Sequence, residues 1–171
     1  MLVTKQNRLE ARIREWVEQF GRDRSALLPI LQEIQKKYTY ISKHAMQVVA
    51  HELDIHPVEV YGVVTFYSFL SDKPQGKFVI RLCSTISCDM AGRDRVARQL
   101  QNDLGIKFGE TTPDKKFSLE WSSCLGMCDQ GPALLINDEI FTQVTPQKCH
   151  ELLNECKKAF ASHAVRQEAD Q

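Results

Sequence analysis

The chain has 171 residues, 43% hydrophobic and 26% charged, which is ordinary for a globular protein and long enough for one large domain or two small ones. Lys+Arg and Asp+Glu are both 22, so the formal net charge is zero, which argues against nucleic acid or an anionic membrane as the main partner. The N-terminal stretch lacks the apolar core of a secretory signal and carries Glu10 and Glu15 where a transit peptide avoids acids, and the longest apolar run, Val63 to Leu70, falls far below the ~20 residues of a membrane span. The chain therefore reads as cytoplasmic, and six cysteines in a reducing compartment point to metal or redox chemistry rather than disulfides.

Residues 1–75 read as a helical bundle. Leu9, Ile13, Trp16, Val17 and Phe20 recur at intervals of three and four and give a first helix one apolar face, with Gly21 as its stop. Ser25 is expected to cap a second helix carrying Leu28, Leu31, Ile34 and Tyr38, with Pro29 in the first turn, where a missing N–H costs least. Ser42 is expected to cap a third, with Met46, Val49 and Leu53 inward. His56-Pro57 fits an N-cap followed by proline at the first helical position, opening a fourth helix that buries Val60, Val63, Val64 and Tyr67. That helix is apolar nearly all round, more than a small bundle can bury, so part of it is expected to meet the second domain or a partner subunit. The turn-forming stretch Ser71-Asp72-Lys73-Pro74-Gln75-Gly76 marks the domain boundary.

After Gly76 the period changes. Lys77 to Leu82 reads as a strand running into Cys83, and Asp94 to Leu104 as a helix stopped by Gly105. Phe117, Leu119 and Trp121 alternate with Ser118 and Glu120, the mark of a half-buried strand, which runs on to Cys124. Asn137-Asp138 makes a two-residue hairpin turn between Ala133–Ile136 and Glu139–Phe141, and Thr145-Pro146 opens a last helix. The order strand, helix, strand, strand, strand, helix fits a thioredoxin-like domain over residues 76–160, followed by a polar tail, residues 161–171. The fold class expected is thus α+β, a helical bundle and then a thioredoxin-like sheet.

Four cysteines in two close pairs carry the chemistry: Cys83 and Cys88 in R-L-C-S-T-I-S-C-D, Cys124 and Cys128 in W-S-S-C-L-G-M-C-D-Q-G-P. Four thiolates from two loops are what a 2Fe–2S cluster needs. All-cysteine zinc sites also use paired ligands, so a zinc-stabilised interaction module is the rival reading. A dithiol redox enzyme would want Cys-x-x-Cys, which is absent. Spacing therefore favours a metal and leaves iron–sulfur and zinc both open. Local chemistry leans toward the cluster, whose net negative charge grows on reduction and calls for N–H and O–H donors at its sulfurs. Ser84, Thr85, Ser87, Ser122 and Ser123 are candidate donors, and Gly126 and Gly131 allow close backbone approach, although each also suits an ordinary turn. Asp89 and Asp129 each follow a cysteine and would disfavour reduction unless they point into water; Arg81, Arg93 and Arg95 either offset charge or line a solvated edge.

V-Y-G-V-V-T-F-Y at residues 60–67, the C-x4-C of Cys83 and Cys88, and C-L-G-M-C from Cys124 to Cys128 followed by Gly131-Pro132 together resemble one family. It is the small iron–sulfur subunit of NADH-oxidising modules, which includes the 24-kilodalton subunit of respiratory complex I and its counterparts in NAD(P)-linked hydrogenases and formate dehydrogenases. The resemblance covers about residues 5–160. It implies one 2Fe–2S cluster held by Cys83, Cys88, Cys124 and Cys128, and a larger flavoprotein partner that holds FMN and binds NAD(P)H, together with further iron–sulfur subunits. No G-x-G-x-x-G follows a strand here, so hydride chemistry is expected in the partner and no catalytic residue in this chain. Asp129-Gln130 stands where respiratory members more often carry small residues, a lean toward the hydrogenase or formate dehydrogenase complexes. Cys149 and Cys156, seven apart on the last helix, are expected to be buried packing residues. The five histidines have no metal-ligand spacing.

Overall fold

The computed structural model describes the backbone of residues 5–169 and the burial of residues 6–159. It divides into two compact units between Gln75 and Gly76.

The first unit is a four-helix bundle: α1 (Lys5–Phe20), α2 (Leu27–Tyr38), α3 (Lys43–Glu52) and α4 (Pro57–Phe66). Much of its core is what helical spacing picks out, with Ile13, Trp16, Val17, Leu31, Ile34, Met46, Val49, Val60 and Val64 all buried, but Leu9, Phe20, Leu28, Tyr38, Val63 and Tyr67 are only partly buried against it, and α2 buries Leu27 and Ile30 instead. Ser42 caps α3 by accepting the Ala45 N–H, and His56 caps α4 through Nδ1, which accepts the Val58 N–H at 3.3 Å. Ser25 does not cap α2. It donates its own N–H and hydroxyl to Asp23, which caps a short 3-10 turn (Arg24–Ala26), and α2 starts beyond it at Leu27. A carboxylate two residues upstream is the stronger acceptor and takes the cap position. Pro29 still falls in the first turn of α2.

Gln35 ties the far end of this unit together. Its amide donates to the Thr39 carbonyl and to Gln75 Oε1, both at 2.9 Å, and its Oε1 accepts the Ser71 N–H at 3.0 Å. α4 stops at Phe66, and Phe66 and Val58 are largely exposed, with Tyr61 and Phe69 about half so.

The second unit is a five-stranded sheet in the order β2-β3-β1-β4-β5, with β1 (Phe78–Cys83), β2 (Glu110–Thr111), β3 (Phe117–Ser122), β4 (Leu134–Ile136) and β5 (Glu139–Phe141). β1 and β3 are parallel, and every other pairing is antiparallel. Three helices belong to this unit: the short α5 (Ile86–Met90), α6 (Arg93–Leu104) and α7 (Pro146–Ala169). Ile80, Leu82, Leu119 and Leu134 of the sheet, Val96 and Leu100 of α6, and Cys149 and Leu153 of α7 form one core. Fully burying each aliphatic side chain contributes roughly 1.5–3 kcal/mol.

The cross-strand ion pair Arg81–Glu120, 3.0 Å, sits on partners directly opposite in the register and helps to fix it. The Asn137-Asp138 hairpin forms as expected, and Asn137 also exchanges hydrogen bonds with the Val79 backbone, both 2.9 Å. The alternation of β3 fails at both ends. Ser118 is buried, its hydroxyl accepting the Gly76 N–H at 2.7 Å, and Trp121 is half exposed, stacked on Phe108. Cys149 is fully buried, and burial, with help from nearby Asp103, pushes its thiol up to about 12. Cys156 packs against the same core, as a structural cysteine should. Side chains beyond Ala159 and the last two residues lie outside the described set; of the polar tail expected over 161–171, the backbone continues α7 as far as Ala169. Among the described residues no helix is long and apolar enough to cross a membrane.

Candidate metal centre

The parallel pairing of β1 and β3 builds the site. Their register runs from Phe78 opposite Phe117 to Cys83 opposite Ser122, so both strands end at the same edge of the sheet. Cys83 closes β1, and Cys124 lies two residues beyond the end of β3. The loops are sewn together where they leave the sheet: the Ser84 N–H and hydroxyl both donate to the Ser122 carbonyl, at 2.9 and 2.7 Å, and the Cys83 N–H donates to the Ala133 carbonyl at 3.1 Å.

The first pair is buried. Cys88 sits on α5, a five-residue helix too short to show a period in the sequence, and it forms a small apolar cluster with Cys83 and Ala133 against Leu125 and Met127. The second pair is exposed, with the Cys124 and Cys128 sulfurs 3.2 Å apart. Cys128 opens a short 3-10 turn (Cys128–Gln130) that packs on α5. All six cysteines are unbridged. Among the described residues no three His, Cys, Asp or Glu side chains gather about a single point; the thiols stand as two pairs.

Donors converge on the sulfurs. Burial by itself would raise the Cys83 thiol. Thr85, through its hydroxyl 3.2 Å away and its backbone, and the Leu125 N–H from the second loop outweigh that and bring the thiol down to about 7. Burial raises the Cys88 thiol and its neighbour Cys83 adds to the rise, while the Ala133 N–H works against both. Cys128 is raised by the adjacent Cys124, and the Ser87 hydroxyl of the first loop works the other way. The Gly126 N–H points at Cys124 Sγ, 3.3 Å away.

Of the expected donors, Thr85 and Ser87 reach sulfur, whereas Ser84 is spent on the Ser122 carbonyl. The backbone N–H groups of Leu125, Gly126 and Ala133 are the additions. The two glycines act differently. Gly126 has φ +80°, a left-handed conformation, with open space where a Cβ would sit. Gly131 is a close approach: a Cβ there would stand 3.2 Å from Ala91 Cβ and 3.5 Å from Cys88 Sγ.

Asp89 is paired with Arg93 at 3.0 Å, and Asp129 is exposed, so neither carboxylate meets the sulfurs with its charge unshared or unscreened. Arg81 is committed to Glu120 and Arg95 is exposed. His44 pairs with Glu10 at 3.0 Å, and His51 is exposed.

A mixed sheet with helices packed beside it is a thioredoxin-like architecture, here with two pairs of thiols at and beyond the ends of its parallel strands. The thioredoxin-like 2Fe–2S ferredoxin family matches residues 13–157, and the chain belongs to that family. Among similar proteins, one component of the NADH-quinone oxidoreductase of Buchnera aphidicola is 40% identical over 78% of this chain and 83% of its own length. The alpha subunit of the NAD-reducing hydrogenase HoxS of Cupriavidus necator is 33% identical over 88% of this chain, which spans 25% of that longer protein. The solved structure of an air-oxidized NAD+-reducing nickel–iron hydrogenase shares the fold, with a TM-score of 0.68 at 22% identity over 78% of this chain and 23% of that one. Membership of the family implies one 2Fe–2S cluster. The donor set fits that group: four thiols in two pairs, at one edge of a sheet, with N–H and O–H donors aimed at their sulfurs.

Proposed function

We propose that Cys83, Cys88, Cys124 and Cys128 hold one 2Fe–2S cluster, and that the chain serves as the small electron-transfer subunit of an NAD(P)H-linked flavoprotein oxidoreductase. The observation that carries this reading is the convergence of both cysteine pairs on the shared end of β1 and β3, with donors from each loop reaching sulfurs of the other. Bound there, the cluster would take up and give back one electron at a time. The residues of the chain do the rest. Thr85, Ser87 and the N–H groups of Leu125, Gly126 and Ala133 stabilise negative charge on sulfur. Burial of Cys83 and Cys88 keeps water from one side of the site, and the exposed pair leaves the other side open to a partner.

FMN and the nicotinamide nucleotide belong, in this proposal, to a larger flavoprotein subunit. In this proposal the chain is not catalytic alone: no G-x-G-x-x-G follows a strand in its sequence, and one-electron transfer requires no acid, base or nucleophile from it. Its place is cytoplasmic, in keeping with six unbridged cysteines. The test is isolation of the full chain from iron-sufficient cells without oxygen. Iron and acid-labile sulfide in equal amounts with a reddish-brown colour are expected; stoichiometric zinc without sulfide would instead establish the structural-zinc reading.

The exposed aromatic end of α4 is the proposed docking surface for the flavoprotein. Phe66→Ser is the clean probe because Phe66 is 77% exposed and its loss should change stability by no more than about 0.5 kcal/mol. Co-purification of the partner should weaken; an undiminished yield of complex would remove this surface from the interface. Tyr67 is a poorer probe because it packs against the bundle core. Asp89→Asn should raise the reduction potential by removing a negative charge beside Cys88, and a redox titration with an unchanged midpoint would show that Arg93 already offsets that carboxylate.

A further inference from the structure

Arg93, the first residue of α6, reaches several of the segments that carry the cysteines. Its Nη1 donates to the Ser84 carbonyl at 2.7 Å, and Ser84 directly follows Cys83. Its Nη2 donates to Asp89 Oδ1 at 3.0 Å, and Asp89 directly follows Cys88. The same nitrogen reaches Asp94 at 3.1 Å. The guanidinium carbon also lies 5.2 Å from the centre of the Trp121 ring, on the strand that leads into Cys124, and Trp121 is itself stacked on Phe108 at 3.8 Å and 11°. The side chain is only 16% exposed.

One planar group therefore touches the residue after the first cysteine, the residue after the second and the approach to the third. A planar fork with separate donors satisfies two acceptors in different directions while one face lies against a ring. An ammonium is a compact point charge and cannot hold that set together. The ion pair with Asp94 is of little worth in itself, because that carboxylate is 64% exposed. What remains is the link between segments. Ser84 and Ser122 meet at the sheet edge and the Cys128–Gln130 turn packs on α5, while α5 joins α6 through only two residues, Ala91-Gly92.

We propose that Arg93 is a positioning residue whose guanidinium pins the two cysteine segments to each other and so sets where the two pairs of sulfurs stand around the cluster. This rests on the cluster reading above and adds to it that shape, not charge alone, is what the site takes from Arg93.

The test compares the full chain, isolated with its cluster, with its Arg93→Gln, Arg93→Lys and Arg95→Gln variants. The readouts are the electron paramagnetic resonance of the reduced protein, the visible circular dichroism, and the rate of iron loss to a chelator. Both Arg93 variants should shift the resonance and the dichroism bands and lose iron about 10-fold faster or more, the usual scale for supports behind metal ligands. Arg95→Gln makes the same charge change on the same helix at an exposed position, and should match the parent. A lysine variant indistinguishable from the parent would overturn the proposal, since charge would then suffice, and so would an unchanged glutamine variant. Should the glutamine variant fail to fold, the lysine variant alone decides. A parent chain with zinc and no labile sulfide would sink the cluster reading itself, an outcome distinct from unaltered variants of a cluster-bearing parent.

Discussion

Cys88→Ala is expected to give a folded chain without a cluster. Iron and labile sulfide, about two of each per chain in the parent, should fall to near zero, and the visible absorption should vanish. Cys88 is buried, its sulfur meets Cys83, and the Ala133 N–H is directed at it. Without it the inner pair has one thiol, and neither remaining cysteine stands near to replace it, since Cys149 and Cys156 belong to the core of the sheet and α7. The structural cost is small, about 1 kcal/mol for trimming a buried sulfur to a methyl group. Far-ultraviolet dichroism should therefore hold, the more so because the helical unit has its own core. Cys149→Ala is the matched control: equally buried, it should lose a similar amount of stability and keep its iron. A colourless Cys149 variant beside a coloured Cys88 variant would reverse the assignment of ligands.

Gly76→Ala is expected to destabilise the second unit by about 2–3 kcal/mol, lowering its Tm by about 10 °C or more. A Cβ at this position would lie 2.6 Å from the Phe117 carbonyl carbon, 2.7 Å from Phe117 N and 2.9 Å from the Lys116 carbonyl carbon. These are backbone atoms at the start of β3, so no side-chain rotation relieves the clash. Relief requires β1 and β3 to part where their pairing begins, and it strains the 2.7 Å bond from the Gly76 N–H to Ser118. The two tryptophans make the measurement direct, because Trp16 reports the helical unit and Trp121 the sheet. The Trp121 transition should move to lower denaturant while that of Trp16 stays. Coincident, unshifted transitions would show that the strand start yields at little cost.

The parts of this fold that can be read from residues are those fixed by local chemistry. Ser42 and His56-Pro57 announce their helices because the cap and its donor lie within three residues of each other. Ser25 misleads because a serine is a good cap only when no better acceptor precedes it, and Asp23 does. α5 has five residues and β2 two, too short for any period to register. Trp121 breaks the alternation because the strand outruns its core there and the ring finds Phe108 instead. At the candidate site the four cysteines and the Thr85 and Ser87 hydroxyls are legible by type. The N–H groups of Leu125 and Ala133 are not, since a main-chain donor leaves no mark on the identity of its residue. Arg93 is ambiguous in the sequence, where it is one cation near a loop; its three-way hold exists only after folding.

The parallel register that ends with Cys83 opposite Ser122 would make the proposed cluster site a gauge for the sheet beneath it. Neighbouring strands are held about 4.8 Å apart by their ladder, so the spacing of the two loops is inherited from the backbone rather than chosen by the loops themselves. Substitutions at Ile80 or Leu119, buried well down the strands from any sulfur, should therefore be visible in the colour and magnetism of the bound iron before they are visible as unfolding.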